Sequence, residues 1–448
     1  MLPENIISQF RNDAQGLAEY FSKEYFLRHS KRFPLNSFQI LTDLGIHFVF
    51  RKLDKVEGLF MPSMSADDVN LVAINSQRPI TRQRFTAAHE LCHFLKDSTL
   101  AGNYICVDGA KNVIERYADA FASALLMPKD ELKKQIDLRG KDGVPLSYDD
   151  ILIIADYFGT SLEACYWRIH NLYWYLTPDP KDKKKYKPNK RREELGLSHL
   201  PLLSDMIDAW TDIYNRNATD FAMQVFKNHY IYNDARLEGV NASQTATAEI
   251  VTDLQNKTQN SSYCNVKYEP FCHIAGHAKL YDRVFSNYSQ HGFTIYEILT
   301  LNRLLFSTFP YPDAGGEFRQ TPAIITDSSV ETIDWHEIPS AMGELYKEVG
   351  YIEKNIGILS RSQIIKALVQ IHYKLTVIHP FNDGNGRTSR GFLNEALLRY
   401  GMPPVYITVD KKDEYRADLA KVDHNKDYTK LYEFFMLALI NSHVEFSI

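Results

Sequence analysis

Cysteine is scarce and unpatterned: Cys92, Cys106, Cys165, Cys264 and Cys272 are the only five in 448 residues, and no two are spaced Cys-x-x-Cys. A disulfide framework is therefore excluded, and a reducing compartment suits the chain. Long apolar runs are missing too. No stretch of about 18 apolar residues occurs, and the opening MLPENIISQFRNDAQG carries charges where a signal peptide needs an apolar core, so the expected location is cytoplasmic. Charge of one sign is also lacking. A formal net charge of -5 gives neither the basic footprint of a non-specific nucleic-acid binder nor an acidic disordered tail. No internal repeat or long low-complexity tract is evident. What remains is an ordinary globular composition, at a length that accommodates two or three domains with proper cores.

The first half reads as helical spacing to about residue 50, then short strands at Gly45–Phe50, Gly58–Pro62 and Asn70–Ile74, a small sheet of three. There follows Arg84-Phe-Thr-Ala-Ala-His89-Glu90-Leu-Cys-His93, an HExxH in a stretch without helix breakers. On a helix the two histidines lie four apart on one face, so both imidazoles can hold one Zn2+ with Glu90 beside it. Glu115 and Asp119, four apart on a second predicted helix, supply a third ligand and a carboxylate to orient a ligand histidine. The run from Glu115 to Leu-Leu-Met-Pro128, the helix Arg84–His93 and the segment Tyr148–Arg168 resemble the ImmA/IrrE metallopeptidase family. That resemblance implies His89, His93 and Glu115 as zinc ligands, Glu90 as general base, and a peptide bond as substrate. Cys92 stands where the family usually has glycine; packing is the favoured reading, and a thiol close enough to the metal to modulate it is the other. A purely structural zinc site or a binding scaffold is the other reading, and neither needs Glu90.

From Thr177 to Arg192 three prolines punctuate a basic run that includes Lys183-Lys184-Lys185 and Arg191-Arg192. This reads as a solvated linker.

Past it, the densest chemistry is His379-Pro380-Phe381-Asn382-Asp383-Gly384-Asn385-Gly386-Arg387-Thr388-Ser389-Arg390. Pro380 ends the preceding helix near His379, Gly384 and Gly386 permit a nest of backbone N–H groups, and a helix starting near Arg387 adds its positive end. Asp383 offers the hard oxygen that Mg2+ prefers, and Arg387 and Arg390, three apart, are expected on one face for a polyphosphate. A surface turn would explain Gly-Asn-Gly alone, but not the whole set.

That set matches the signature HPF-x-(D/E)-GNGR-x-x-R of Fic proteins, whose best known activity transfers AMP from ATP to protein hydroxyls. The resemblance implies His379 as base, Asp383 on Mg2+, Gly384, Asn385, Gly386 and Arg387 around the α- and β-phosphates, and Arg390 on the γ-phosphate. Gly316-Glu-Phe318-Arg319-Gln-Thr321-Pro-Ala-Ile324 looks like the family's β-hairpin flap, which docks an extended target segment. Glu238-Gly239 fits the inhibitory pattern (S/T)-x-x-x-E-(G/N), with Arg390 as the partner of Glu238 and Asp234 where Ser or Thr is usual. Cys264, Cys272, His273 and His277 are read as part of an ordinary core helix and not as a metal site.

The expectation is thus two domains: residues 1–175, an α+β zincin-like metallopeptidase domain; 176–196, a linker; and 197–448, a mainly α-helical Fic fold with a β-hairpin flap. ATP, Mg2+ and Zn2+ are the expected cofactors, and a target protein hydroxyl and a repressor or antitoxin are the expected partners. No membrane and no direct nucleic acid are expected. Alternatives are de-AMPylation through Glu238, or a toxin-antitoxin-like regulator whose zinc domain senses or cleaves a repressor.

Overall fold

A computed structural model describes residues 3–63, 65, 68–97, 104–107, 113–140, 144–182, 186–211, 213, 220–287, 292–311, 315–325 and 330–446. The chain divides into two compact units, Met1–Asp212 and Ile213–Ile448.

The first unit is α+β, as expected. It runs α1 (Glu4–Gln9), α2 (Ala14–Phe26), α3 (Ser37–Asp43), β1 (Ile46–Arg51), β2 (Val56–Met61), β3 (Asn70–Asn75), α4 (Ile80–Lys96), β4 (Tyr104–Val107), α5 (Val113–Leu126), α6 (Lys129–Asp137), α7 (Tyr148–Phe158), α8 (Leu162–Tyr173), α9 (Pro188–Glu194) and α10 (Leu200–Ala209). The sheet has four strands in the order β1-β3-β2-β4. The first pair is parallel, with Phe48 opposite Val72, and β2 is antiparallel to both its neighbours. The expected sheet of three strands lacked β4, a four-residue edge too short to show a period. Helix α4 lies on the sheet and on α5 and is buried at nearly every position from Ile80 to Leu95. Phe38, Phe48, Phe50 and Trp210 form an aromatic core beneath it, each ring contributing about 1.5–3 kcal/mol by burial.

The basic stretch is not a free spacer. Lys183–Lys185 lie outside the described residues, but Arg191 and Arg192 pair with Asp149 and Asp156 of α7, and Tyr186, Leu195 and Leu197 pack on the core of α6, α7 and α8. The expected linker at 176–196 and the first residues of the expected 197–448 domain therefore belong with the first unit. Composition alone missed this because the two arginines find carboxylates that are distant in sequence.

The second unit is mainly helical, also as expected: α11 (Asp220–Leu237), α12 (Gln244–Asn256), α13 (Phe271–Asn287), α14 (Glu297–Phe306), α15 (Ile338–Asn355), α16 (Arg361–Ile378), α17 (Asn385–Arg399), α18 (Lys412–Asn425) and α19 (Thr429–Phe446). Helix α17 is the axis of the unit: it packs on α13, α14 and α16 and is buried from Arg387 to Leu398. A capping box between Ser360 and Gln363 starts α16. The expected β-hairpin forms no strand among the described residues 315–325 and 330–334. Its two arms face each other through Thr332 Oγ1, which donates to the Ala323 carbonyl at 2.6 Å, without a ladder.

Candidate functional site

Two sites emerge, one in each unit. In the first, α4 and α5 lie side by side, so a histidine pair one turn apart faces a carboxylate near the start of α5. His89, His93 and Glu115 are all buried, with ligand atoms within 4.8 Å of one another. Each imidazole is oriented by a carboxylate on its Nδ1, His89 by Asp119 at 2.9 Å and His93 by Asp97 at 2.9 Å. Both Nε2 atoms then converge, 3.2 Å apart, with His89 Nε2 3.1 Å from Glu115 Oε2. Nitrogens bound tetrahedrally at about 2.0–2.1 Å sit roughly 3.3 Å apart, so this donor set fits Zn2+. Asp119 is one of the two carboxylates that orient the imidazoles, and Asp97, which no motif in the sequence marks, is the other. Its only sequence signal is that it lies four residues after His93.

Glu90 is fully buried and neither carboxylate oxygen meets a hydrogen-bond partner in good geometry. Desolvation raises its carboxyl to about 8, with the His89 charge and the nearby Phe60 backbone pulling the other way. Gly58 makes room for it: a Cβ there would come within 2.7 Å of Glu90 Oε1. The sheet thus approaches α4 most closely at Thr86 and Glu90. Cys92 is a buried packing residue, its thiol pushed up by desolvation.

In the second unit, His379 ends α16 in the left-handed region at φ +47°, a conformation that needs external bracing. The brace is Arg319. Its Nε donates to the His379 carbonyl at 2.7 Å and its Nη atoms to the carbonyls of Thr321 at 2.8 Å, Ile333 at 2.7 Å and Ile378 at 3.3 Å. Arg319 is buried, so it fastens the loop instead of docking a target as expected, because one planar fork can gather several carbonyls at once. Phe318 rests near Phe381, Thr321 is exposed, and Ile324 is 90% exposed. Burial lowers the His379 pKa below its ordinary value, with Arg319 adding to this and the Thr376 backbone opposing it. The imidazole is therefore neutral near pH 7 and able to accept a proton.

The loop beyond turns at Gly384, φ +75°, into α17. Asn385 does not offer its side chain to the nest. It exchanges two 2.8 Å hydrogen bonds with the Phe381 backbone and so fixes the loop. Asn302 braces the same turn through the Asp383 carbonyl, Thr388 and the Gly316 amide. The Asp383 side chain is largely exposed and borders the cleft, where its carboxylate could hold Mg2+, and its Oδ1 accepts from the Gly384 amide at 2.6 Å. A cleft of about 780 Å³ opens here, lined by Glu238, His379, Asn382 to Gly386 and Arg390, with Lys412, Tyr415, Arg416 and Leu419 of α18 on one wall. That volume suits a nucleotide. The α18 wall carries no motif, and sequence reasoning did not find it.

The two arginines part company. Arg387 turns to His273 Nδ1 at 3.0 Å and to Asp383 at 3.4 Å and does not line the cleft. Long side chains three residues apart can diverge when each meets its own acceptor. Arg390 is clasped by two carboxylates of the α11 end: Asp234 takes its Nε, and Glu238 Oε1 lies 2.5 Å from its Nη2. Behind them His277 Nε2 lies 2.9 Å from Asp234 Oδ2, out of line for a full hydrogen bond. Desolvation works to raise the Asp234 carboxyl, but Arg390 and then His277 outweigh it and hold it at about 2. His273 and His277, one turn apart on α13, thus address the two arginine sites.

In comparison with known proteins, two family models match separate parts of this chain. Residues 41–170 match the model of the IrrE N-terminal-like domain, Peptidase_M78, and residues 292–397 match that of the Fic/DOC family. Protein adenylyltransferase Fic of Aedes aegypti is 25% identical over 272 residues, covering 59% of this chain and 52% of that protein. The protein of the same name from Nematostella vectensis is 32% identical over 135 residues, 29% of each. The chain thus spans about half or less of the length of these relatives. The solved structure of Fic-1 from C. elegans covers 81% of this chain and 97% of its own, at 20% identity and a TM-score of 0.45. Both families recognised on their motifs are matched, in the expected order along the chain.

Proposed function

We propose that the second unit is a protein adenylyltransferase held shut by Glu238. The observation that carries this reading is the position of that carboxylate. Glu238 Oε1 sits 2.5 Å from where a Cβ of Gly386 would be, at the N-terminal end of α17, and is paired with Arg390. An anion therefore already stands where a helix end and an arginine would receive a phosphate. Curated relatives named protein adenylyltransferase support the same reading. In the reaction, neutral His379 takes the proton of a Ser, Thr or Tyr hydroxyl, whose oxygen bonds to the α-phosphorus of ATP. The bond from that phosphorus to the bridging oxygen breaks and pyrophosphate leaves. Mg2+ at Asp383 would supply charge neutralisation. The N–H groups around Gly384 to Gly386 and Arg390 hold the phosphates, and the exposed arm at Thr321 and Ile324 receives the target chain. De-AMPylation would need Glu238 to direct a water, and its pairing with Arg390 favours the blocking role.

The test is incubation of wild type, Glu238→Ala and His379→Ala with α-labelled ATP, Mg2+ and lysate. Label should rise with Glu238→Ala and vanish with His379→Ala. A Glu238→Ala protein that labels nothing, itself included, refutes the assignment.

For the first unit, we infer a zinc peptidase acting on a regulatory protein such as a repressor or antitoxin. The orphaned Glu90 carboxylate beside three converging ligands favours this, since a structural site has no use for it. Zn2+ would supply Lewis acidity to a peptide carbonyl. Glu90, whose ionised form the charge of bound Zn2+ would favour against the desolvation that raises its pKa, could take and return the proton, while Asp119 and Asp97 keep the imidazoles aimed. Glu90→Gln should keep zinc and lose cleavage; undiminished cleavage refutes the role. Among the described residues no helix is long and apolar enough to cross a membrane. The free cysteines suit the cytoplasm, to which we assign the protein.

A further inference from the structure

The inhibitory pattern needs one carboxylate on Arg390, yet the structure supplies two, and they are not equivalent. Glu238 follows the last residue of α11, its side chain is 31% exposed, and it borders the cleft with Gly239 behind it. It can leave by side-chain rotation alone. Asp234 lies one turn earlier within α11, its side chain 3% exposed, bonded to Arg390 Nε and backed by His277 from α13. Tyr230 and Tyr281, both buried, close the same space. Asp234 cannot leave without unwinding the end of the helix. It also stays ionised, because Arg390 and His277 hold its carboxyl far down.

When Glu238 departs, Arg390 is therefore not a free cation. It keeps one carboxylate at its Nε edge, while the Nη2 that Glu238 held is released. We propose that Asp234 is a specificity-determining residue that aims Arg390 while cancelling its charge, so that the opened site gains little from a terminal γ-phosphate and takes nucleoside diphosphates almost as well as triphosphates. The inference rests on the nucleotide-site reading above. It goes beyond that reading because it concerns which nucleotide the opened site prefers and not how the gate closes. The physical ground is the gap between a hydrogen bond to a charged group and one to a neutralised group, which amounts to roughly a tenfold difference in affinity.

The experiment is calorimetric titration of the full chain with ATP and, separately, ADP, in the Glu238→Ala background. In that protein the two nucleotides should bind within about threefold of each other. Adding Asp234→Asn, which keeps the shape and removes the charge, should raise the ATP-to-ADP affinity ratio about tenfold. Asp234→Ser should raise it in the same direction, and it serves as the reading if the asparagine variant does not fold. An ATP preference beyond roughly thirtyfold in Glu238→Ala itself overturns the proposal, as does a ratio that neither added substitution moves. A rise with Ser but not with a folded Asn variant overturns it as well, since space and not charge would then be the cause. Failure of Glu238→Ala to bind either nucleotide overturns the nucleotide-site reading and this proposal together, whereas an unmoved ratio overturns this proposal alone.

Discussion

Replacing Glu238 by alanine is the perturbation whose size the structure lets one work out. The pair is short, 2.5 Å between Oε1 and Arg390 Nη2, with the arginine side chain 8% exposed and the glutamate 31%. A charge-assisted hydrogen bond of this kind contributes about 1.5–3 kcal/mol, and the partly wet glutamate together with the Asp234 carboxylate already on the same guanidinium places it at the lower end. On the proposed reading ATP would have to displace that contact to reach Arg390, so its apparent affinity would be reduced by the same amount. Removing the carboxylate should tighten ATP binding roughly 10- to 30-fold. Stability argues in the same direction. Because Asp234 keeps hold of Nε, the variant should lose at most about 2 kcal/mol, not the ~3–5 kcal/mol expected when a buried charge is stranded. Isothermal titration with ATP and urea denaturation measure the two quantities on one preparation. An ATP affinity within twofold of wild type would refute the gating argument, and a stability loss near 5 kcal/mol would refute the claim that Asp234 carries Arg390 alone.

Arg319→Lys should destabilise the second unit by about 2–4 kcal/mol, since an ammonium cannot fork to four carbonyls; an unchanged thermal midpoint would show that the left-handed turn at His379 is held by something else. Asp234 titrates at about 2 in the folded chain against an ordinary 3.8, so its contribution of ~2 kcal/mol is complete above the ordinary value and is lost as pH falls through the folded one. Asp234→Asn should flatten the fall in urea stability across that acid window, and curves that fall in parallel for the two proteins would contradict the linkage. Asp97→Asn should weaken zinc binding about 10- to 100-fold in a chelator competition, because the amide no longer fixes the His93 tautomer; undiminished affinity would make the 2.9 Å contact incidental.

Much of both sites was legible because their chemistry is packed into short spacings. His89 and His93 share a helix face by period alone, and the loop from His379 to Gly386 carries its own helix stop, positive-φ glycine and helix start. What escaped were contacts between residues far apart in the chain. Arg319 reads as part of a docking flap until its guanidinium is seen on the carbonyls around His379, and His273 and His277 read as core until α13 is laid against α17. The basic stretch misled for a related reason: Arg191 and Arg192 look solvated until α7 presents Asp149 and Asp156.

By itself, then, the sequence determined which side chains are available to do chemistry, how each short group of them is spaced, and that a metal-binding pattern precedes a phosphate-binding one. Periodicity and the φ limits of proline and glycine are local, and they act before any packing does. Tertiary structure alone decided how Arg390 is held. Asp234 comes from α11 and Glu238 from just beyond its end, His277 from α13 and the arginine from α17, and only packing among those helices leaves one carboxylate 3% exposed and the other 31%. The cost of desolvating charges depends on what surrounds them, which no local spacing records.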